Sequence, residues 1–169
     1  VLAPLAGYTD LPFRSVVKKF GADLTISEMI SSNALVYKSA RTLKMIEKSP
    51  SEDPYFVQIA GNSAQLVREA VEIVNDVEGI DGIDLDFEPS SFNQQDITDY
   101  LSLAKSIHNQ FPKLLITAAV TANPDTLKQI SSKQWQDFAT NVDYVSIMAY
   151  DLHGGFDGIG NNTGFHSNL

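Results

Sequence analysis

Cysteine is absent from the 169 residues. This excludes disulfides, thiolate nucleophiles and Cys-ligated metals. Basic residues are scarce: 12 Lys and Arg stand against 21 Asp and Glu, for a formal net charge of −9. The deficit is uneven. Residues 1–79 hold 8 basic and 10 acidic side chains, residues 80–169 hold 4 and 11, and arginine does not recur after Arg68. Phosphate binding needs clustered Lys and Arg, so this balance predicts no nucleic-acid partner. No apolar run approaches the ~18 residues that a membrane helix needs, which predicts no membrane partner. No signal peptide is expected from the first residues, and no compartment is assigned. The chain starts at Val1 without a Met and reads as an excised fragment.

What is present is a regular alternation. Apolar, strand-like segments at 1–6, 23–26, 55–60, 80–87, 114–120 and 144–149 are separated by stretches with helical spacing. The helices are expected from Thr9/Asp10 to Phe20, over 32–48, from Asn62 or Ser63 through Val74, over 94–111, and as one or two pieces over 124–139. Apolar strands alternating with helices are the pattern of a parallel sheet covered by helices. A whole (β/α)₈ barrel needs ~250 residues. Six βα units in one domain therefore predict an α/β fold with a parallel sheet, derived from a TIM barrel and either incomplete or open. The first and sixth strands are then unpaired edges, through which a homodimer could form.

The densest acidic cluster is Asp81-Gly-Ile-Asp-Leu-Asp-Phe-Glu88. Side chains alternate along a strand, so Asp84, Asp86 and Glu88 share one face, and Ile83, Leu85 and Phe87 share the other. Carboxylates about 6–7 Å apart repel, and the pKa of at least one should rise. A protonated Glu88 beside ionised aspartates would suit a general acid. Solvated acids at a strand end, or a divalent metal site, are the plainer alternatives. Three acids in alternation, ending where a βα loop begins, favour an enzyme site, and no metal-ligand set is singled out.

The pattern Asp81-x-x-Asp84-x-Asp86-x-Glu88 resembles the signature of family-18 glycoside hydrolases, the chitinase-type barrels. Met148-Ala-Tyr150-Asp151 and Asn162-Thr-Gly-Phe-His-Ser-Asn-Leu169 resemble that family's sixth strand and the loop after it. The resemblance implies that Glu88 protonates a glycosidic oxygen, and that Asp86 holds the acetamido N–H with Asp84 behind it. Tyr150 and Asp151 would position the acetamido group, in a chito-oligosaccharide substrate cleaved with substrate assistance and no cofactor.

Residues 1–85 resemble a different family. Leu2-Ala-Pro-Leu-Ala-Gly-Tyr-Thr-Asp-Leu-Pro-Phe-Arg14, Ser27-Glu-Met29 and Val57-Gln-Ile-Ala-Gly61 are similar to the first three strands of tRNA-dihydrouridine synthases, which are FMN-dependent barrels. By resemblance, Pro4, Leu5 and Ala6 would approach the isoalloxazine ring and Gln58 would hydrogen-bond it. That family continues with a Cys-containing segment where this chain has Asp86-Phe-Glu-Pro-Ser, so dihydrouridine synthase activity is not expected and FMN binding would be weak. The chain is thus expected to be a chimera, residues 1–85 from one barrel and 80–169 from another. Its principal expected character is a recombined barrel without efficient catalysis. The alternatives are a chitinase-like hydrolase and a flavin-binding remnant.

Overall fold

Helix α1 (Leu11–Lys19) begins where the sequence places it, because the Asp10 carboxylate accepts the Phe13 N–H at 2.9 Å and Pro12 sits in the first turn. The computed structural model describes residues 1–88 and 93–150. After α1 come β1 (Thr25–Ile26), β2 (Ile30–Ser31), α2 (Ser32–Val36) and α3 (Ala40–Met45). They are followed by β3 (Tyr55–Gly61), α4 (Ala64–Asn75), β4 (Gly82–Phe87), α5 (Gln94–Gln110), β5 (Leu115–Thr121), α6 (Pro124–Leu127), α7 (Ser132–Ala139) and β6 (Tyr144–Met148).

The strands form one parallel sheet in the order β1-β3-β4-β5-β6, with β2 also on β3. It curls into a half-barrel, an incomplete TIM barrel, as the alternation predicts. Two local expectations fail. The strand over 1–6 contracts to a single bridge, Leu2 with Thr25. The helix over 32–48 breaks into α2 and α3, because Lys38 takes a left-handed φ of 50° between them. Leu43 and Ala40 consequently face outward, while Leu35 and Ile46 stay in the core.

One face of the sheet packs on helices. Val57, Ile59, Ile83, Leu85, Ile116 and Ala118 meet Val67, Val71 and Val74 of α4 and Leu103, Ala104 and Ile107 of α5. The other face is the lumen. There Gly82 lies so close to the Phe56 ring and the Leu115 carbonyl that a Cβ would collide with both. The strand starts are locked by side chains: Asp81 accepts the Tyr55 N–H at 2.9 Å and Asp143 accepts the Ile116 N–H at 2.8 Å. Between α1 and β3 lies a buried ion pair. Arg14 Nε donates to Glu52 at 2.6 Å, its other nitrogens donate to the Thr9 and Glu47 carbonyls, and its guanidinium lies 4.8 Å from the Tyr55 ring centroid. Thr25 Oγ1 and the Ser49 N–H also donate to Glu52, so both carboxylate oxygens are held.

Among the described residues β6 is the last strand of the sheet, and its Val145 and Ile147 are 41% and 62% exposed. Among the described residues no helix is long and apolar enough to cross a membrane.

Candidate functional site

The strands open at their C-terminal ends into a cleft of about 650 Å³. Its walls include Pro4, Leu5 and Ala6 on one side of the sheet, Gln58, Asp84 and Asp86 in the middle, and Ser146, Met148 and Tyr150 at the other end. The loop 4–7 is a tight turn. Thr9 exchanges hydrogen bonds with Leu5 at 3.0 Å through its hydroxyl, and the Tyr8 N–H also reaches the Leu5 carbonyl at 3.0 Å. The turn needs Gly7, whose φ is +78°. Its N–H donates to Glu28 at 2.7 Å, which ties the loop to the segment after β1.

Register places Gln58 beside Asp84 and Asp84 beside Thr117. Gln58 Nε2 donates to Asp84 Oδ2 at 2.9 Å, and the Thr117 hydroxyl donates to Asp84 Oδ1. Both oxygens of this buried carboxylate are therefore engaged. Burial still raises its pKa, against the opposing effect of the Thr117 and Gln58 hydrogen bonds. The bond to Asp84 also fixes the orientation of the Gln58 amide.

Asp86 differs. Its Oδ1 is buried and has no hydrogen-bond partner among the described residues. Burial, then the charges of Glu88 and Asp84, push its pKa up to about 7. The strands part at this level. The paired register of β4 with β5 ends at Leu85 and Ala118, and the Tyr100 hydroxyl lies 2.9 Å from the Leu85 carbonyl and 3.0 Å from the Ala119 carbonyl. Those two carbonyls share its proton across the widening gap.

The structure thus gathers Pro4, Leu5, Ala6, Gln58, Asp84, Asp86 and Tyr150 around one cleft. It does not bring in Glu88, which is exposed beyond the strand end and is absent from the cleft walls. The carboxyls whose pKa burial raises are those of Asp84 and Asp86, the two acids that lie inside the sheet. Asp151 lies outside the described residues, as does the segment 162–169 that carries the loop resemblance. Asp81 sits at the opposite end of β4, where it locks the start of β3. Sequence reasoning missed Thr9, Glu28 and Thr117. Thr117 could have been found from strand parity, since it faces the same way as Ala119 in a strand adjacent to the acidic one. Among the described residues no group of three or more Asp, Glu, His or Cys side chains converges on a metal position.

Comparison with known proteins separates the two resemblances. The family model described as dihydrouridine synthase (Dus) matches residues 1–87. A probable tRNA-dihydrouridine synthase of Helicobacter pylori (strain ATCC 700392 / 26695) is 63% identical over 83 residues, covering 49% of this chain and 25% of the relative. The tRNA-dihydrouridine synthase B of Vibrio vulnificus (strain CMCP6) is 29% identical over 159 residues, covering 91% of this chain and 49% of the relative. The chain thus spans a quarter to a half of the lengths of these relatives. A chitinase from Bacteroides thetaiotaomicron superposes with a TM-score of 0.54 at 14% identity, over 89% of this chain and 53% of that one. At that identity the likeness is one of fold alone.

Several expectations are overturned by these matches. A recombined, non-catalytic barrel with a chitinase-like motif is not supported, because the sequence relatives are dihydrouridine synthases. Glycosidase chemistry and a carbohydrate substrate fall with it, and so does the expectation that dihydrouridine synthase activity is absent. The exclusion of nucleic acid fails too, since the relatives are named for tRNA. The short acidic pattern misled because any lumen strand of a barrel can carry alternating polar residues, whereas the match over 1–87 spans β1 to β4 and their loops. With that match covering half of its length, the chain belongs to the dihydrouridine synthase family.

Proposed function

We propose that the cleft holds the ring of a flavin, FMN, and that the chain supplies the flavin-side wall of a dihydrouridine synthase acting on uridine in tRNA. The observation that carries this reading is that Pro4, Leu5, Ala6 and Gln58, all within the family match, line one cleft at the C-terminal strand ends. Its volume lies within the ~300–1,000 Å³ of small-molecule sites. Apolar walls with a few fixed polar groups suit a flat heterocycle, and the unpartnered Asp86 oxygen faces a polar ligand atom rather than a hydrocarbon.

In this proposal Pro4, Leu5 and Ala6 form the flat wall against the ring, held in shape by Thr9 and Glu28. Gln58 presents its amide to the ring's polar edge, oriented by Asp84. No Lys, Arg or His lines the described cleft, so the phosphate is not held by side chains there. Dihydrouridine is uridine with its C5–C6 double bond reduced, which needs a two-electron donor and an acid. A bound flavin supplies hydride-transfer chemistry of this kind. Without cysteine, the protonatable side chains that line the cleft among the described residues are the carboxyls of Asp84 and Asp86 and the phenol of Tyr150.

The division of the chain at the fourth strand belongs to the same proposal. The family match stops at Phe87, at the end of the fourth strand of the alternation.

The test is FMN fluorescence on titration with the protein. Quenching that Gln58→Leu weakens about tenfold supports the reading, that being the cost of roughly one good hydrogen bond. Undiminished FMN fluorescence at high protein concentration would sink it. The activity itself is read by incubating uridine-containing tRNA with protein, FMN and a reductant, and measuring dihydrouridine by mass spectrometry.

A further inference from the structure

Asp84 and Asp86 lie two residues apart on the same face of β4, yet their surroundings differ. Asp84 has a partner on each oxygen. Asp86 is 6% exposed, lines the cleft, and leaves Oδ1 with no partner among the described residues. A buried carboxylate without a cation or donor is costly, and the neutral acid is the form such a site favours.

We propose that Asp86, as a neutral carboxylic acid, recognises the imide edge –CO–NH–CO– that isoalloxazine and uracil share. The inference rests on the flavin-cleft reading above and names the group that selects the ligand there. A neutral carboxyl presents a donor and an acceptor side by side. One N–H with an adjacent C=O of the imide is its complement, so a pair of hydrogen bonds forms. Ionised, the same group only accepts, and it repels the imide oxygens. Binding is therefore favoured at low pH and lost as pH rises through the midpoint of Asp86, near 7.

The charged and titratable groups around Asp86 act in one direction. Asp84 and Glu88 of its own strand raise its pKa, after burial. Tyr100 of α5 feels the charges of both aspartates, Tyr150 after β6 shares the cleft, and among the described residues no Lys, Arg or His lines it. Val1 also lines the cleft but does not figure among the causes of the Asp86 shift.

The experiment titrates riboflavin and uridine separately into the full chain at about pH 5.5 and about pH 8.5, on either side of that midpoint. Riboflavin replaces FMN so that no phosphate titrates in the window. The wild type is expected to bind riboflavin about tenfold more weakly at the higher pH. Asp86→Asn keeps a donor and an acceptor, so it should hold the low-pH affinity at both. Asp86→Ala should be weak at both, with near-UV circular dichroism confirming that each variant is folded. A uridine profile that follows the same pH dependence, with or without the riboflavin one, supports recognition of the imide edge and tells which ring it serves. Tight binding with a flat wild-type profile, or an Asp86→Asn variant that tracks the wild type, overturns this inference alone. Absence of binding by either ring at both pH values overturns the flavin-cleft reading and this inference with it. Should Asp86→Asn fail to fold, the wild-type profile still decides.

Discussion

Two buried acidic centres in this protein are built in opposite ways. Glu52 is surrounded by donors: Arg14, Thr25 and the Ser49 N–H occupy its oxygens, and the Arg14 fork is used up on carbonyls and on Glu52. Asp86 is also buried, but among the described residues it meets other carboxylates and no cation. The first arrangement joins α1, β1 and the turn before β3 into one body. The second leaves a group with unmet hydrogen-bonding capacity at the mouth of a cleft. A buried acid with its counter-charge serves the fold; a buried acid without one is a cost that the fold carries for another purpose.

The largest effect is expected from unpairing the first centre. Arg14→Met should destabilise the protein by about 3–5 kcal/mol in urea unfolding, because it strands a buried Glu52 charge. Adding Glu52→Gln should recover a good part of that loss. If the single variant costs no more than an average surface change, the pair is not the keystone described here. The second centre should respond in the opposite direction. The Asp86 pKa is raised from 3.8 to about 7, so its contribution is fully present at low pH and is lost as pH rises across that window. Asp86→Asn should therefore raise stability at pH 8 by on the order of 3 kcal/mol and change little near pH 4. A loss of stability in Asp86→Asn at pH 8 would contradict the contrast between the two centres.

Smaller changes sharpen it. Tyr100→Phe removes the proton shared by the Leu85 and Ala119 carbonyls and should cost about 1–2 kcal/mol. The comparison then extends to a solvent-exposed pair. Lys128 and Asp125 lie 3.4 Å apart with side chains 76% and 90% exposed, and Lys128→Ala should leave the unfolding midpoint unmoved.

The parts of this architecture that depend on period were legible in the sequence. Alternation along β4 put Asp84 and Asp86 on the lumen side and Ile83, Leu85 and Phe87 against the helices, as the core contacts show. Helical spacing placed Leu66, Val67, Ala70, Val71 and Val74 inward, and all but the half-buried Leu66 lie in the core. The pairing of Arg14 with Glu52 was not legible, because 38 residues separate them and no local spacing marks a long-range ion pair. Nor was the break at Lys38, where the apolar pattern continues across a backbone reversal. Net charge misled on the partner because it sums over faces. Lys38, Arg41 and Lys44 are exposed, and none is ion-paired with a carboxylate among the described residues, on a chain that is acidic overall. The acidic strand misled on chemistry because lumen parity and a catalytic signature look alike over eight residues.

The parallel sheet also constrains how the chain folds. Contacts between neighbouring strands join residues 26, 33 and 27 positions apart, as in Gln58 with Asp84, Asp84 with Thr117, and Ile116 with Asp143. No hairpin can start such a sheet. Each strand must wait for a whole helical segment to be laid down, and each closure spends chain entropy before any ladder forms. Helices such as α4 and α5 can flicker into existence early, whereas the floor of the cleft, which needs β3, β4 and β5 together, can assemble only late. Ligand added during refolding should therefore leave the early helical phase untouched and act on the final step alone.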